Sequence, residues 1–191
     1  MKNLLWCPID IPKIPNSFNE CVGEKWLFWN KTNFTEKQET PYNISQWTKH
    51  ALETYPEFIK WFEYLPYKSI RNIKFNVQME AVKPHIDFTQ PKLKPELFEN
   101  NVDNEPCGYR ILIAGKRNNS LYVMNKDSKI YCNMPDDTDV YVLGHTSTLH
   151  GVEDELGRKT IFVHIEIDKD KHNEILMRSV EKYKQYAIWN L

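Results

Sequence analysis

Between Ser69 and Ile167 the chain passes through a succession of short apolar or alternating stretches, divided by turn signals and by no helical pattern. Ile73, Phe75, Val77 and Met79 alternate with polar residues, the period of a half-buried strand, and predict one strand over Ile70 to Val82. Further strands are predicted at Tyr109 to Ala114, Leu121 to Met124, Lys129 to Cys132, Val140 to Leu143 and Thr160 to Ile167, with turn signals at Asn118-Asn119 and Pro135-Asp136-Asp137. Many short strands without helices between them point to an antiparallel sandwich or barrel, not to a βαβ layout. The fold class expected is therefore mainly β. Helices are predicted on either side of this core. Ser45 is placed to cap one running towards Tyr55, and Pro56 to open another over Glu57 to Tyr64, where Phe58, Trp61, Phe62 and Leu65 form a stripe that seals one face. Lys169 to Tyr186 also reads as helical. Residues 1–44 carry Pro8, Pro12, Pro15 and Pro41 between short aromatic runs and read as an irregular apron over the core. With 191 residues the chain is expected to form one domain over 1–191, divided into the apron at 1–44, a helical stretch at 45–66, the β core at 69–168 and a C-terminal helix at 169–191.

Charge and composition narrow the function. Lys plus Arg number 25 against 26 Asp plus Glu, a formal charge of −1, so no basic surplus exists to neutralise a run of phosphates and a nucleic-acid partner is not expected. Aromatics at 13% exclude wholesale disorder. No apolar run approaches the ~20 residues that span a bilayer, and the N-terminus lacks the apolar core of a signal peptide. A soluble cytoplasmic protein with no membrane partner is the expectation. Cys7, Cys21, Cys107 and Cys132 are too scattered for a disulfide scaffold and are read as packing thiols. The glycosylation triplets at Asn30, Asn33, Asn43 and Asn118 carry no weight without a signal peptide.

Chemistry concentrates in a few positions. Pro84-His85-Ile86-Asp87-Phe88 puts an imidazole and a carboxylate two residues apart at a strand end, where the period of two turns both to one face and one metal ion can accept both. A further ligand candidate is His150, in Leu149-His150-Gly151-Val152; His145 is the rival. Two His and one carboxylate form the facial triad that leaves open positions on ferrous iron. After His150 comes Gly157-Arg158-Lys159-Thr160-Ile161, with a guanidinium at the mouth of the last strand and a hydroxyl two residues on. Arg binds a carboxylate in a bidentate pair, and a neighbouring hydroxyl adds a third hydrogen bond. Lys159 is the rival anchor. His164 is expected to pack on the last strand. The loop Thr89 to Cys107, rich in Pro, Asn and Glu, is long enough to act as a lid.

The order His85-x-Asp87, a long gap, His150, then Arg158-x-Thr160 inside an apolar strand resembles the Fe(II)/2-oxoglutarate-dependent oxygenases, whose fold is the double-stranded β-helix or jelly roll with flanking helices. More narrowly, the helix Pro56 to Leu65, Lys83-Pro84-His85, Cys107-Gly108-Tyr109-Arg110-Ile111-Leu112 and His150 to Ile167 resemble the aspartyl/asparaginyl β-hydroxylase branch, and the retained Asp87 is similar to the prolyl and amino-acid hydroxylase pattern. The resemblance implies that His85, Asp87 and His150 bind Fe(II). It implies that Arg158 and Thr160 hold the far carboxylate of 2-oxoglutarate, with Arg110 towards its C1 carboxylate. It further implies dioxygen as co-substrate and an amino acid, peptide or protein as substrate, hydroxylated on a side chain while 2-oxoglutarate is converted to succinate. No catalytic residue beyond the metal ligands is implied. Two other classes compete: a catalytically silent β-barrel binding module, and a cupin-type metalloenzyme that does not use 2-oxoglutarate.

Overall fold

The computed structural model describes residues 4–16, 32–33, 35–37, 45–78, 80–86, 108–144 and 148–190. In chain order the elements are β1 (Leu4–Pro8), β2 (Thr32–Asn33), β3 (Thr35–Lys37), β4 (Ser45–Trp47), α1 (Lys49–Thr54), α2 (Pro56–Phe62), β5 (Tyr67–Val77), β6 (Val82–His85), β7 (Tyr109–Ala114), β8 (Leu121–Asn125), β9 (Ser128–Tyr131), β10 (Val140–Leu143), β11 (His150–Val152), β12 (Lys159–Ile167), α3 (Lys169–Lys182) and β13 (Ile188–Trp189). Two main antiparallel sheets result, one in the order β13-β1-β10-β7-β12-β5-β2 and one in the order β6-β11-β8-β9, beside a β3-β4 ribbon. Among the described residues no strand pairing joins the two sheets into a closed barrel.

Alternation along the strands of the large sheet sorts its side chains onto two faces. Ile73 and Phe75 of β5, Tyr109 and Ile111 of β7, Val140 and Val142 of β10, and Ile161 and Val163 of β12 are all buried in a core completed by Ala51, Phe58, Trp61, Phe62, Ile175 and Leu176 from the helices. Trp6, Leu112, Tyr141 and Leu143 leave the opposite face and meet Leu121, Val123 and Val152 of the small sheet in a second core. The layers are thus helices, large sheet, small sheet. Burial of Phe, Trp, Ile and Val at these positions contributes on the order of 1.5–3 kcal/mol per side chain.

The local chemistry explains the element boundaries and corrects several expectations. Ser45 does not cap the first helix, because Ser45 to Trp47 pair with Thr35 to Lys37; the cap is Thr48, whose Oγ1 accepts from the Ala51 N–H at 3.0 Å. Pro56 opens α2 as expected, and Phe58, Trp61 and Phe62 are buried. The single strand expected over Ile70 to Val82 is two strands in different sheets. At Gln78 the backbone leaves the ladder: its N–H donates to the Arg158 carbonyl and its carbonyl accepts from Gly157 N–H, each at 2.8 Å. Leu4–Pro8, expected within an apron, is an internal strand of the large sheet, paired with β10 and β13, with Trp6 and Cys7 wholly buried. The helix expected over Lys169 to Tyr186 ends at Lys182, and Ile188–Trp189 return as the edge strand beside β1. Asp168 caps α3 by accepting from Lys171 N–H at 3.2 Å. Most of the apron, the Thr89 to Cys107 loop, Cys21 and Cys107 lie outside the described residues; Cys7 and Cys132 are buried free thiols. Among the described residues no helix is long and apolar enough to cross a membrane.

α3 is tied to the sheet by a buried polar contact. The Tyr109 hydroxyl and His172 Nδ1 are 2.6 Å apart, and burial pushes the His172 imidazole down to about 4 from its ordinary 6.5. A depressed folded-state value means that the unfolded chain takes up the proton first, so this contribution is complete above pH 6.5 and is lost as pH falls towards 4. Lowering the pH from 7 to 5 is expected to reduce unfolding free energy by about 2 kcal/mol. Urea melts at the two pH values check this: His172→Gln should remove most of the difference, and an unchanged pH dependence in that variant would refute the assignment.

Candidate metal centre

β6 and β11 are neighbours in the small sheet, and their register sets His85 directly opposite His150. The two imidazole centroids are 4.5 Å apart with the rings inclined at 47°. Each ring is fixed in the same way. His85 Nδ1 stands 2.9 Å from the Lys83 carbonyl oxygen, and His150 Nδ1 stands 2.9 Å from that of Thr148, in both cases two residues back along the chain. A carbonyl oxygen only accepts, so the hydrogen sits on Nδ1 and, in the neutral ring, the lone pair sits on Nε2, the tautomer in which a histidine ligates a metal through Nε2. In both, a backbone carbonyl sets the tautomer. His150 is 4% exposed, and His85 is half-buried at the strand end. Gly151 lets the strands come this close: a Cβ there would stand 2.6 Å from the Val82 carbonyl oxygen, nearer than such atoms approach.

Asp87, two positions beyond His85, lies outside the described residues, as do His145 and the lid segment. Among the described residues no group of three His, Cys, Asp or Glu side chains comes together. The structure thus brings two of the three expected ligands face to face.

Arg158 occupies the other part of the space between the sheets. The turn before it places Gly157 at φ 81°, a left-handed conformation natural to glycine, and delivers Arg158 one residue ahead of β12. The side chain is 6% exposed. Its Nη2 donates to the Tyr141 hydroxyl over 3.4 Å, while its Nε is buried without a hydrogen-bond partner. Burial pushes the nearby Cys132 thiol well up, against the opposing pull of the Arg158 charge, so the sulfur stays protonated. Thr160 is half-buried on β12, opposite Leu112 of β7 and Asn76 of β5. Lys159 is half-buried and pairs with Ala114 and Val77. Arg110 is 8% exposed, opposite Tyr141 and Phe162 in the ladder, with its guanidinium carbon 4.6 Å above the Phe162 ring. His164 packs edge-on to that same ring at 4.2 Å.

Tyr141 is the residue that sequence reading passes over. A lone phenol within the apolar run Val140 to Leu143 reads as core; the one available signal is that alternation puts its hydroxyl on the same face as Leu143. Buried phenols ordinarily seek a partner. Here the partner is a guanidinium that itself retains an unused donor.

No family model matches the chain, and no curated protein matches it. Among solved structures the chain is similar to an oxidoreductase of the 2OG-Fe(II) oxygenase family from Burkholderia pseudomallei, with 8% identity, coverage of 78% of this chain and 77% of that one, and a TM-score of 0.39.

A buried guanidinium whose Nε has no hydrogen-bond partner has a measurable signature. In the protein without added ligand, Arg158→Met is expected to raise unfolding free energy by about 1 kcal/mol, because an apolar side chain of similar length removes a desolvated charge. Urea unfolding at neutral pH measures it. A loss of about 2 kcal/mol or more would instead mark Arg158 as a structural tie.

Proposed function

We propose that this chain is an Fe(II)- and 2-oxoglutarate-dependent hydroxylase of amino-acid side chains, free or borne by a peptide or protein, built on a double-stranded β-helix. The observation that carries the reading is the cross-strand pair His85 and His150, with each Nδ1 spent on a backbone carbonyl. Neutral imidazoles oriented in this way suit a divalent transition metal, and Asp87 follows His85 at the spacing that supplies a carboxylate. When bound, ferrous iron with 2-oxoglutarate and dioxygen supplies the oxidising chemistry that hydroxylates an unactivated C–H bond while the co-substrate is decarboxylated to succinate.

The chain's own residues hold and orient. Arg158 offers its unused Nε–H to the far carboxylate of 2-oxoglutarate, and the Tyr141 hydroxyl, already beside the guanidinium, adds a second donor. Thr160 supplies a further hydroxyl on the same strand, and Arg110 serves the C1 carboxylate. Leu112, Val123, Leu143 and Val152 line the space between the sheets with apolar surface. A charge-assisted pair is stronger where water is excluded. Burial favours Arg158 over Lys159 as the anchor. The family resemblance puts the target among aspartyl, asparaginyl and prolyl side chains.

Anaerobic titration with Fe(II) and then 2-oxoglutarate tests the reading through the visible charge-transfer band of the chelate. The band is expected in wild type and absent in His150→Ala. It should need at least about tenfold more 2-oxoglutarate in Arg158→Ala, as loss of a charge-assisted carboxylate pair implies. Iron binding with no band would move the chain to the cupin-type class, and no iron binding would leave a silent binding module.

A further inference from the structure

The turn that delivers Arg158 is fastened through its backbone on two sides. Glu153 N–H donates to the Ser120 carbonyl at 2.9 Å, and the Glu153 carbonyl accepts from Gln78 Nε2 at 2.7 Å. Gly157 and Arg158 are bound to the Gln78 backbone, and Arg158 N–H donates to the Glu155 carbonyl at 3.3 Å. The path of the chain is thereby set, but the side chain of Arg158 is a separate matter. A guanidinium rides on a stem of several rotatable bonds, and the hydrogen bond from Nη2 to Tyr141, at 3.4 Å, is too long to hold it alone. The stem must be fixed elsewhere.

In an acidic run such as Glu153-Asp154-Glu155 a solvated face is the ordinary outcome, and Asp154 and Leu156 are indeed exposed. Glu155 is half-buried instead. Its Oε1 accepts from the Lys116 N–H and its Oε2 from the hydroxyl of Ser120, a residue 2% exposed. These two bonds hold the carboxylate beside Gly115. A Cβ on that glycine would stand 2.8 Å from Glu155 Oε1, 2.9 Å from Arg158 Cγ and 3.2 Å from Arg158 Cβ. The carboxylate and the first two carbons of the arginine stem therefore crowd the same point. Gly115 leaves room for both, at φ 122°, a conformation that other residues rarely adopt. We infer that Glu155 is a positioning residue: locked to Lys116 and Ser120, it confines the Arg158 stem and so aims the guanidinium at Tyr141 and at a bound carboxylate.

The bound carboxylate rests on the hydroxylase reading; the hold on the stem does not. Two measurements on the full chain separate them. The first is anaerobic titration of the iron-loaded protein with 2-oxoglutarate, followed by the charge-transfer band. Glu155→Leu, which accepts from neither Lys116 nor Ser120, is expected to raise the dissociation constant of 2-oxoglutarate about fivefold or more at unchanged Fe(II) affinity. Ser120→Ala, which removes one of the two bonds, should move it the same way by less. Glu155→Gln, whose carboxamide accepts from Lys116 and donates to Ser120, should restore the wild-type value. A merely structural role would lower the folded fraction, and with it the amplitude of the band, without moving the dissociation constant. The second measurement needs neither metal nor co-substrate: NMR follows exchange of the Arg158 Nε–H with water. Exchange is expected to be faster in Glu155→Leu, while the amide of Val163, paired on both sides in β12, keeps its wild-type protection. An unchanged dissociation constant, an equal loss of Fe(II) affinity, or Val163 exchange rising as much as that of Arg158 would each overturn the inference. If wild type gives no band, the hydroxylase reading falls and the exchange measurement alone decides whether Glu155 holds Arg158. A wild-type band that Glu155→Leu leaves at wild-type affinity removes the positioning role and keeps the reading.

Discussion

Everything between the two sheets depends on the register of β12. Its nine residues pair with β5 along their whole length and with β7 over the first five, so the strand is held from both sides. That double pairing sends Ile161 and Val163 into the helix-side core and leaves Thr160 and Phe162 for the face that meets the small sheet. A slip of one residue would exchange the two sets, placing threonine and histidine in the apolar core. Between Lys159 and Thr160 the pairing with β7 shifts, and the chain just before it is bound to Gln78 through the Arg158 carbonyl and the Gly157 N–H. Arg158 is thereby lifted out of the ladder at the point where its side chain can lie along the inner surface and reach Tyr141 on a strand two places away.

The two cores differ in kind. The helix-side core closes on itself: its principal polar pair, Tyr109 and His172, satisfies itself at 2.6 Å. The inter-sheet core does not. Trp6 Nε1, Arg158 Nε, Thr148 Oγ1 and Asn125 Oδ1 are buried there or at its margin without partners. Each such atom costs a fold roughly 1–3 kcal/mol. A donor or acceptor kept unused in the folded chain is one that a ligand can take up.

How much of this a reader could obtain from the sequence depended on whether the deciding interaction was local. Tyr109 to Ala114 and Val140 to Leu143 were delimited residue for residue, since each is a dense apolar run ended by glycine or turn residues. The alternation through Ile73, Phe75, Val77 and Met79 continued past the true end of β5, because the break at Gln78 is made by hydrogen bonds to residues eighty positions away. Leu4–Pro8 was missed for the opposite reason. Buried on both faces, it shows no alternation, and Pro8 argued against a strand. In the site, His85 and His150 announced themselves by residue type, and the strand register then explained why they meet. Tyr141 read as core, because a hydroxyl becomes informative only when its partner is known.

Charge carries the remaining step. In the site proposed, a divalent ion held by two neutral imidazoles and by Asp87 would retain one positive charge. Arg158, 6% exposed, is a second positive charge, and its Nε has no hydrogen-bond partner. Two cationic charges in a medium of low dielectric strongly favour a dianion that spans them, and a single carboxylate would leave one of the two uncompensated. A dicarboxylate reaching from such an ion to Arg158 would neutralise both.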